Sequence, residues 1–281
     1  MSAVGGPSEY VKLDETEFVN EALKIVETAQ SRQVYLRILG ALAVYIHSMD
    51  KSECTTAFKS LGRFGEGKPI FTDLDVGAYG KQKKEINKVF QDLKFKPDLM
   101  VNALFGNRRL IFYHPRNIFH VDVFIDKLEF SHDVKWGEKP GSGRLELDYP
   151  TIALEDIVLE KLQIHEINRK DLIDLIVLFM GHPVSEQSTK DFVAGNYVAS
   201  ILSEDWGFYY DATTNLAKVK SLAQEFHNSG KLTPDQVAKT LNEIAKLLEI
   251  IEKSPKGEKW KVRARVGTSK PWYKEVEEVQ R

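Results

Sequence analysis

Hydrophobic and polar positions divide the chain into a first part that mixes strands with helices and a second part of helices. Up to residue 150, short β-branched and aromatic runs alternate with stretches of helical periodicity. From Thr151 onward, five segments carry apolar residues at helical spacing. The last of them opens with Thr233, Pro234 and Gln236, which is typical of an N-cap, a proline in the first turn and a capping box. We therefore predict an α+β protein with a sheet-bearing unit at 1–150 and an all-helical unit at 151–281.

Three strands in the first unit matter for function. Val34 to Leu39 is predicted to form a strand that ends at Gly40, with a helix from about Ala41. The segments PIFTDLDVGAY and NIFHVDVFIDKLEF are predicted to form two more strands because their apolar and polar residues alternate. Between them, GKQKKEINKVFQDLKF has the pattern of an amphipathic helix, and ALFGNRRLIFYH predicts a hairpin that turns at Gly106-Asn107.

Carboxylates lie on two of these predicted strands. Asp73 and Asp75 are two positions apart, so they share one face of the strand, and Asp122 lies between Val121 and Val123. Taken alone, two aspartates at a strand end in water cost little and need no ligand. If the strands lie side by side, however, three carboxylates converge opposite the start of the helix after Gly40. Such oxygens suit one or two Mg²⁺ ions, and helix N–H groups suit a phosphate.

The order of these segments resembles the nucleotidyltransferase superfamily related to DNA polymerase β. The resemblance rests on LGALAVYIHS, FTDLDVG and HVDVF, and on the downstream TIALEDIVLEKLQI and NRKDLIDLIVL, which are similar to abortive-infection toxin-type nucleotidyltransferases and their prokaryotic relatives. It implies a mixed β-sheet flanked by helices. It also implies Mg²⁺-dependent transfer of a nucleoside monophosphate from an NTP to an acceptor, with release of pyrophosphate.

The resemblance also implies roles for single residues. Asp73 and Asp75 would bind the metal ions that hold the triphosphate. Asp122 would complete the catalytic metal site and help to deprotonate the acceptor hydroxyl. Gly40 and Ala41 would offer backbone N–H groups to the phosphates, although Ala41 stands where the family usually has glycine or serine.

Three charged side chains leave alternatives open. Lys161 lies beside the apolar stripe of its predicted helix, where it either extends its ammonium group into water or contacts phosphate, as the resemblance suggests. Asp126 is expected to be solvated. Arg63 either reaches a triphosphate or has a surface role, and we favour the surface role. The C-terminal alternation of charged and apolar residues predicts either a charged edge strand or a basic stripe for nucleic acid; its cations are Lys259, Lys261, Arg263 and Arg265.

Composition narrows the function only broadly. The formal net charge of -2 gives no overall basic excess, and the single Cys54 excludes an intramolecular disulfide framework. We expect a cytoplasmic protein without a membrane partner. The acceptor could be a small molecule, a tRNA end or a protein side chain. The alternatives are a catalytically weak nucleotide-binding or regulatory module of the same fold and, less favoured, a glycosyltransferase-type protein that binds a sugar nucleotide.

Overall fold

A five-stranded mixed sheet organises the first half of the molecule. The computed structural model describes residues 13–65, 70–187 and 189–275. The strands lie in the order β1-β2-β5-β4-β3. Their bounds are Leu36–Ile38 for β1, Leu74–Ala78 for β2, Lys96–Pro97 for β3, Arg109–Tyr113 for β4 and His120–Ile125 for β5. The three strands on which the candidate site depends are therefore confirmed.

The centre of the sheet places two predicted site residues side by side. β2 and β5 are parallel, and Asp75 is the direct partner of Asp122 in their register. All other neighbours in this sheet are antiparallel. Leu74, Val76 and Val121 are fully buried on the apolar face. The alternation of side chains along a strand then directs both aspartates to the opposite face.

Helices cover this sheet in the order that the periodicity predicts, with one error. They are α1 (Glu15–Gln30), α2 (Gly40–His47), α3 (Ser52–Ser60), α4 (Lys83–Asp92) and α5 (Leu99–Phe105). The predicted hairpin around Gly106-Asn107 is wrong, because the residues before this turn form α5 and only those after it form a strand. Asp98 caps α5 by accepting a hydrogen bond from the N–H of Val101, which favours helix over strand.

The second half is largely helical. Its helices are α6 (Leu154–Leu162), α7 (Arg169–Gly181), α8 (Gly195–Glu204), α9 (Trp206–Asn228), α10 (Pro234–Lys253) and α11 (Glu258–Val266). The predicted capping box of α10 is present. The second half also contains two strands of two residues each, β8 (Val184–Ser185) and β9 (Val193–Ala194), which pair with each other, so it is not entirely helical. Between the halves, β6 (Lys127–Glu129) and β7 (Asp133–Lys135) form a small hairpin.

The predicted edge strand near the C-terminus is wrong, since its residues form α11. The alternation misleads because glutamate, lysine, arginine and alanine in this segment are all strong helix formers. Trp260 anchors the helix by donating its indole N–H to the carbonyl of Leu202 and by packing against Tyr209.

The core of the molecule is continuous across both halves. Buried apolar residues from α1 at Phe18 to α10 at Ile251 belong to one contact cluster. The division near residue 150 stays a prediction. Within the described ranges, no helix is both long and apolar enough to cross a membrane.

Candidate active-site cleft

A cleft of about 960 Å³ lies between the sheet and helices α2, α6 and α7. Its volume is within the range of small-molecule sites. Of the six predicted site residues, the cleft is lined by Gly40, Ala41, Asp73, Asp75 and Lys161. The sixth, Asp122, is 3% exposed and is not among the described residues that line it.

Asp75 is the most unusual group in the cleft. Within the described ranges its carboxylate makes no hydrogen bond and no ion pair. Burial raises the pKa of Asp75 well above its ordinary value, and the negative charges of Asp73, Asp122 and Glu160 add to the rise, while Lys161 partly opposes it. A carboxylate held in this way is costly to ionise and is relieved by a cation.

Asp73 stands at the mouth of the same cleft, immediately before β2. It is exposed, and one of its oxygens accepts a hydrogen bond of 2.8 Å from the hydroxyl of Thr72. Among the residues whose positions are given, no three His, Cys, Asp or Glu side chains form a ready metal-binding group. Mg²⁺ is usually held by only one or two carboxylates together with water and substrate phosphates. Asp73 and Asp75 fit that smaller donor set.

Asp122 is engaged by cations rather than open to the cleft. Arg109 of β4 binds both of its oxygens, with Nε 3.2 Å from Oδ1 and a second, shorter contact from Nη2 to Oδ2. Nε2 of His120 lies 3.6 Å from Oδ2 of Asp122. Burial alone would raise the pKa of Asp122, but hydrogen bonds from His120 and Arg109 outweigh it and hold the pKa below its ordinary value. Asp122 is therefore a poor proton acceptor in this arrangement.

Gly40 begins α2 in a conformation that favours glycine, with φ of +66°. Its N–H, predicted to bind phosphate, instead donates a hydrogen bond of 3.0 Å to the Glu160 carboxylate. That carboxylate takes the place of an anion at a helix N-terminus, and the contact of the Gly40 N–H with phosphate stays a prediction. The N–H of Ala41 lies in the same first turn, where no intrahelical carbonyl is available to it.

Lys161 belongs to a buried network instead of reaching water. Its Nζ lies 2.7 Å from Asp171 and 3.0 Å from Asp174. Burial alone would lower the pKa of Lys161, but the negative charges of Asp171 and Asp174 outweigh the effect of burial, so the pKa is raised. Arg63 completes the network with contacts of 2.6 and 3.1 Å to Asp174, so its predicted surface role is wrong.

Carboxylates outnumber lysines and arginines in this connected set by six to four. The carboxylates are Asp73, Asp75, Asp122, Glu160, Asp171 and Asp174, and the cations are Arg63, Arg109, Lys161 and Lys170. The surplus lies on the cleft side, because Asp171, Asp174 and Asp122 have close cationic partners while Asp73 and Asp75 have no ion pair within the described chain. The cleft therefore favours a divalent cation.

Two further predictions are corrected by the structure. Because α11 is a helix, Lys259, Lys261, Arg263 and Arg265 do not share one face as they would on a strand. Arg263 instead donates to the carbonyls of a following turn and lies over the ring of Trp206. Asp126 is half-buried rather than solvated, and it accepts a hydrogen bond from the N–H of Gly80.

Sequence reasoning missed Glu160 and Arg109. Glu160 carries no signal in the sequence, since only the structure shows that every residue of α6 from Leu154 to Leu162 is buried. Arg109 carries no such signal either, since its partner is set by the pairing of β4 with β5. Comparisons of the chain with protein-family models, with curated proteins and with solved structures found no match.

Proposed function

We propose that the protein is a Mg²⁺-dependent nucleotidyltransferase that moves a nucleoside monophosphate from an NTP to an acceptor and releases pyrophosphate. The observation that carries the proposal is Asp75, a carboxylate with a raised pKa and no partner among the described residues, beside Asp73 in a cleft of about 960 Å³. A bound Mg²⁺ would relieve this charge and bridge to a triphosphate. The sequence resemblance supports the same reaction, with the nucleotidyltransferase fold and an NTP as substrate.

In this proposal the chain itself holds and orients the nucleotide. Asp73 and Asp75 would hold Mg²⁺, which would supply positive charge to the triphosphate. The N–H of Ala41 faces the phosphates from the first turn of α2. In this proposal Lys161 does not bind the nucleotide directly. It neutralises Asp171 and Asp174 and so stabilises the helical wall of the cleft.

The reaction forms one bond and breaks one. The acceptor oxygen attacks the α-phosphorus, the bond from this phosphorus to the oxygen bridging to the β-phosphate breaks, and pyrophosphate leaves. In-line attack needs positioning and charge neutralisation more than covalent chemistry by the protein. Small molecules, tRNA ends and protein side chains are the acceptor classes to examine.

A second candidate is a nucleotide-binding module of low activity. Two contacts favour this candidate because they occupy groups that the transferase would use. The Gly40 N–H donates to Glu160, and Arg109 donates to both carboxylate oxygens of Asp122. In this state the cleft would bind a nucleotide and Mg²⁺ without turning it over. The two candidates share the binding step and differ only in turnover.

Labelled nucleotide separates these candidates. Each NTP, carrying ³²P at the α-phosphate, is incubated with Mg²⁺ and the protein in the presence of glycerol, bulk tRNA or a lysate protein fraction. Label joined to an acceptor, with pyrophosphate released, supports the transferase. Binding of NTP that stabilises the fold without transfer supports the second candidate. Thermal stabilisation by about 2.7 kcal/mol is expected when the nucleotide is at 100 times its Kd.

The matched control is Asp73→Asn/Asp75→Asn, which should lose both the Mg²⁺-dependent stabilisation and the transfer. A wild type that is folded but gains no stability from any NTP with Mg²⁺ contradicts both candidates.

A further inference from the structure

The end of α6 and the C-terminal segment bring a second ionisable cluster to the same cleft. Asp211 of α9 is 2% exposed and accepts hydrogen bonds at both oxygens. Its Oδ2 lies 2.8 Å from Nε2 of His132, and its Oδ1 lies 3.0 Å from Nδ1 of His165. The indole N–H of Trp272 donates to the same Oδ1 at 3.0 Å. Of these residues, His165 lines the candidate active-site cleft.

The His165 ring is fixed from three sides. Asp211 holds Nδ1, Tyr273 stacks on the ring with centroids 3.6 Å apart, and the backbone N–H of His165 donates to the Ser131 hydroxyl. Asn215 secures the loop by donating to the carbonyls of Leu162 and Ile164. This many contacts leave the imidazole little freedom to turn.

The other ring nitrogen has no partner among the described residues. Nε2 of His165 makes no hydrogen bond to any residue that the structure describes, and the side chain is 23% exposed. Burial alone would raise the pKa of Asp211, but hydrogen bonds from His132, Trp272 and His165 outweigh the effect of burial, so the pKa is lowered. An ionised aspartate at Nδ1 selects the tautomer with its proton there, which leaves Nε2 as a proton acceptor.

The proposed transferase needs such a group. A proton must leave the acceptor hydroxyl as its oxygen attacks, and Asp122, expected from sequence to help, is bound by Arg109 and has a lowered pKa. Asp211 and Tyr273 contact the His165 ring directly, and His132 shares Asp211 with it. The other ionisable groups that line this part of the cleft are Glu166, Lys170, Lys274 and Glu275.

We propose that His165 is the general base of the reaction and that Asp211 is its positioning residue. This inference rests on the proposed function. The acceptor hydroxyl gives its proton to Nε2 of His165, its oxygen bonds to the α-phosphorus, and pyrophosphate departs with the electrons of the broken P–O bond. The acceptor is therefore a molecule with a neutral hydroxyl, bound on the α6–α7 side of the cleft beside Tyr273.

The test uses His165→Asn, which keeps an N–H that can face Asp211 but has no basic nitrogen. Pyrophosphate release from ATP, CTP, GTP and UTP with Mg²⁺ is measured between pH 5.5 and 9, with water, glycerol, bulk tRNA and a lysate protein fraction as acceptor probes. His227→Asn, on the last turn of α9 and outside the cleft, is the matched control. Melting with and without NTP is recorded for each protein.

The variant should lose roughly 10²–10⁴-fold in rate while its stabilisation by NTP is unchanged. The wild-type rate should fall about tenfold per pH unit on the acidic side, and this slope should be absent in His165→Asn. Asp211→Asn should lower the rate and move the inflection, since it changes the charge at Nδ1.

Two results overturn the assignment while leaving the proposed function intact. One is a His165→Asn rate within about threefold of wild type with the same pH profile. The other is loss of NTP stabilisation together with the rate, which would make the ring structural. A folded wild type that releases no pyrophosphate with any probe contradicts the proposed function itself, and the assignment of His165 with it.

Discussion

Replacing Asp75 should stabilise the ligand-free protein while abolishing its response to nucleotide. Burial and the charges of Asp73, Asp122 and Glu160 raise the pKa of Asp75 above its unfolded value. A carboxyl with a raised folded pKa contributes most to stability at low pH, and that contribution is lost as the pH rises through the folded pKa. At pH 8 the wild type therefore carries a penalty that Asp75→Asn removes.

The size of the effect follows from linkage. Each unit of elevation is worth about 1.4 kcal/mol at a pH above both pKa values. For a chain of this size, 1 kcal/mol corresponds to roughly 2–4 °C in melting temperature. We expect Asp75→Asn to melt several degrees above wild type at pH 8, and we expect the difference to shrink at pH 4.

Differential scanning calorimetry at pH 4 and pH 8, with and without Mg²⁺-NTP, measures both halves of this prediction. Asp73→Asn is the comparison variant: its carboxylate is exposed, but its charge helps to raise the pKa of Asp75, so this variant should also gain ligand-free stability at pH 8, by less than Asp75→Asn. Both variants should lose the Mg²⁺-dependent shift. A ligand-free Asp75→Asn that melts below wild type at pH 8, or that keeps the full response to Mg²⁺-NTP, would contradict the role of Asp75 as a strained metal ligand.

Three further substitutions test the groups around this carboxylate. Lys161→Met should lower the free energy of unfolding by about 3–5 kcal/mol, because buried carboxylates lose their cation, whereas exposed Lys220→Met should change it by less than about 0.5 kcal/mol in urea titrations. Arg109→Met should cost about 1.5–3 kcal/mol at pH 7. Because the pKa of Asp122 is lowered, its contribution is present above its ordinary value of 3.8 and is lost as the pH falls through the folded pKa, so the gap to wild type should close toward pH 3; a constant gap would contradict this. Gly40→Ala should cost about 1–2 kcal/mol in calorimetry because of its left-handed backbone, and an unchanged stability would contradict the positive φ.

Local signals in the sequence account for most of the fold. Thr233, Pro234 and Gln236 predict the start of helix α10. The alternation of polar residues with valines, which the structure shows to be buried, predicts strands β2 and β5. The errors arose where two local signals compete. Gly106-Asn107 is a strong hairpin pair, yet the cap at Asp98 begins a helix before it. Alternation at 259–266 suggests a strand, yet the helix propensities and the contacts of Trp260 prevail.

The candidate site was predictable as far as the residues that meet, and not as far as their partners. The prediction required the two aspartate-bearing strands to be neighbours, and the structure meets this condition, since β2 and β5 pair in parallel and Asp75 lies beside Asp122. Which side chain contacts each site residue depends on tertiary packing. Arg109 comes from an adjoining strand, and Glu160 reaches the start of α2 across 120 positions of sequence. No periodicity in the chain encodes either contact.

The most direct measurement is a crystal structure of the protein with Mn²⁺ and a non-hydrolysable ATP analogue, recorded with anomalous diffraction at the manganese edge. We predict an anomalous peak bound by Asp73 and Asp75, with the triphosphate against the first turn of α2 at Ala41. Crystals that hold the nucleotide elsewhere, or that show no manganese at these two aspartates, would contradict the proposed nucleotide site.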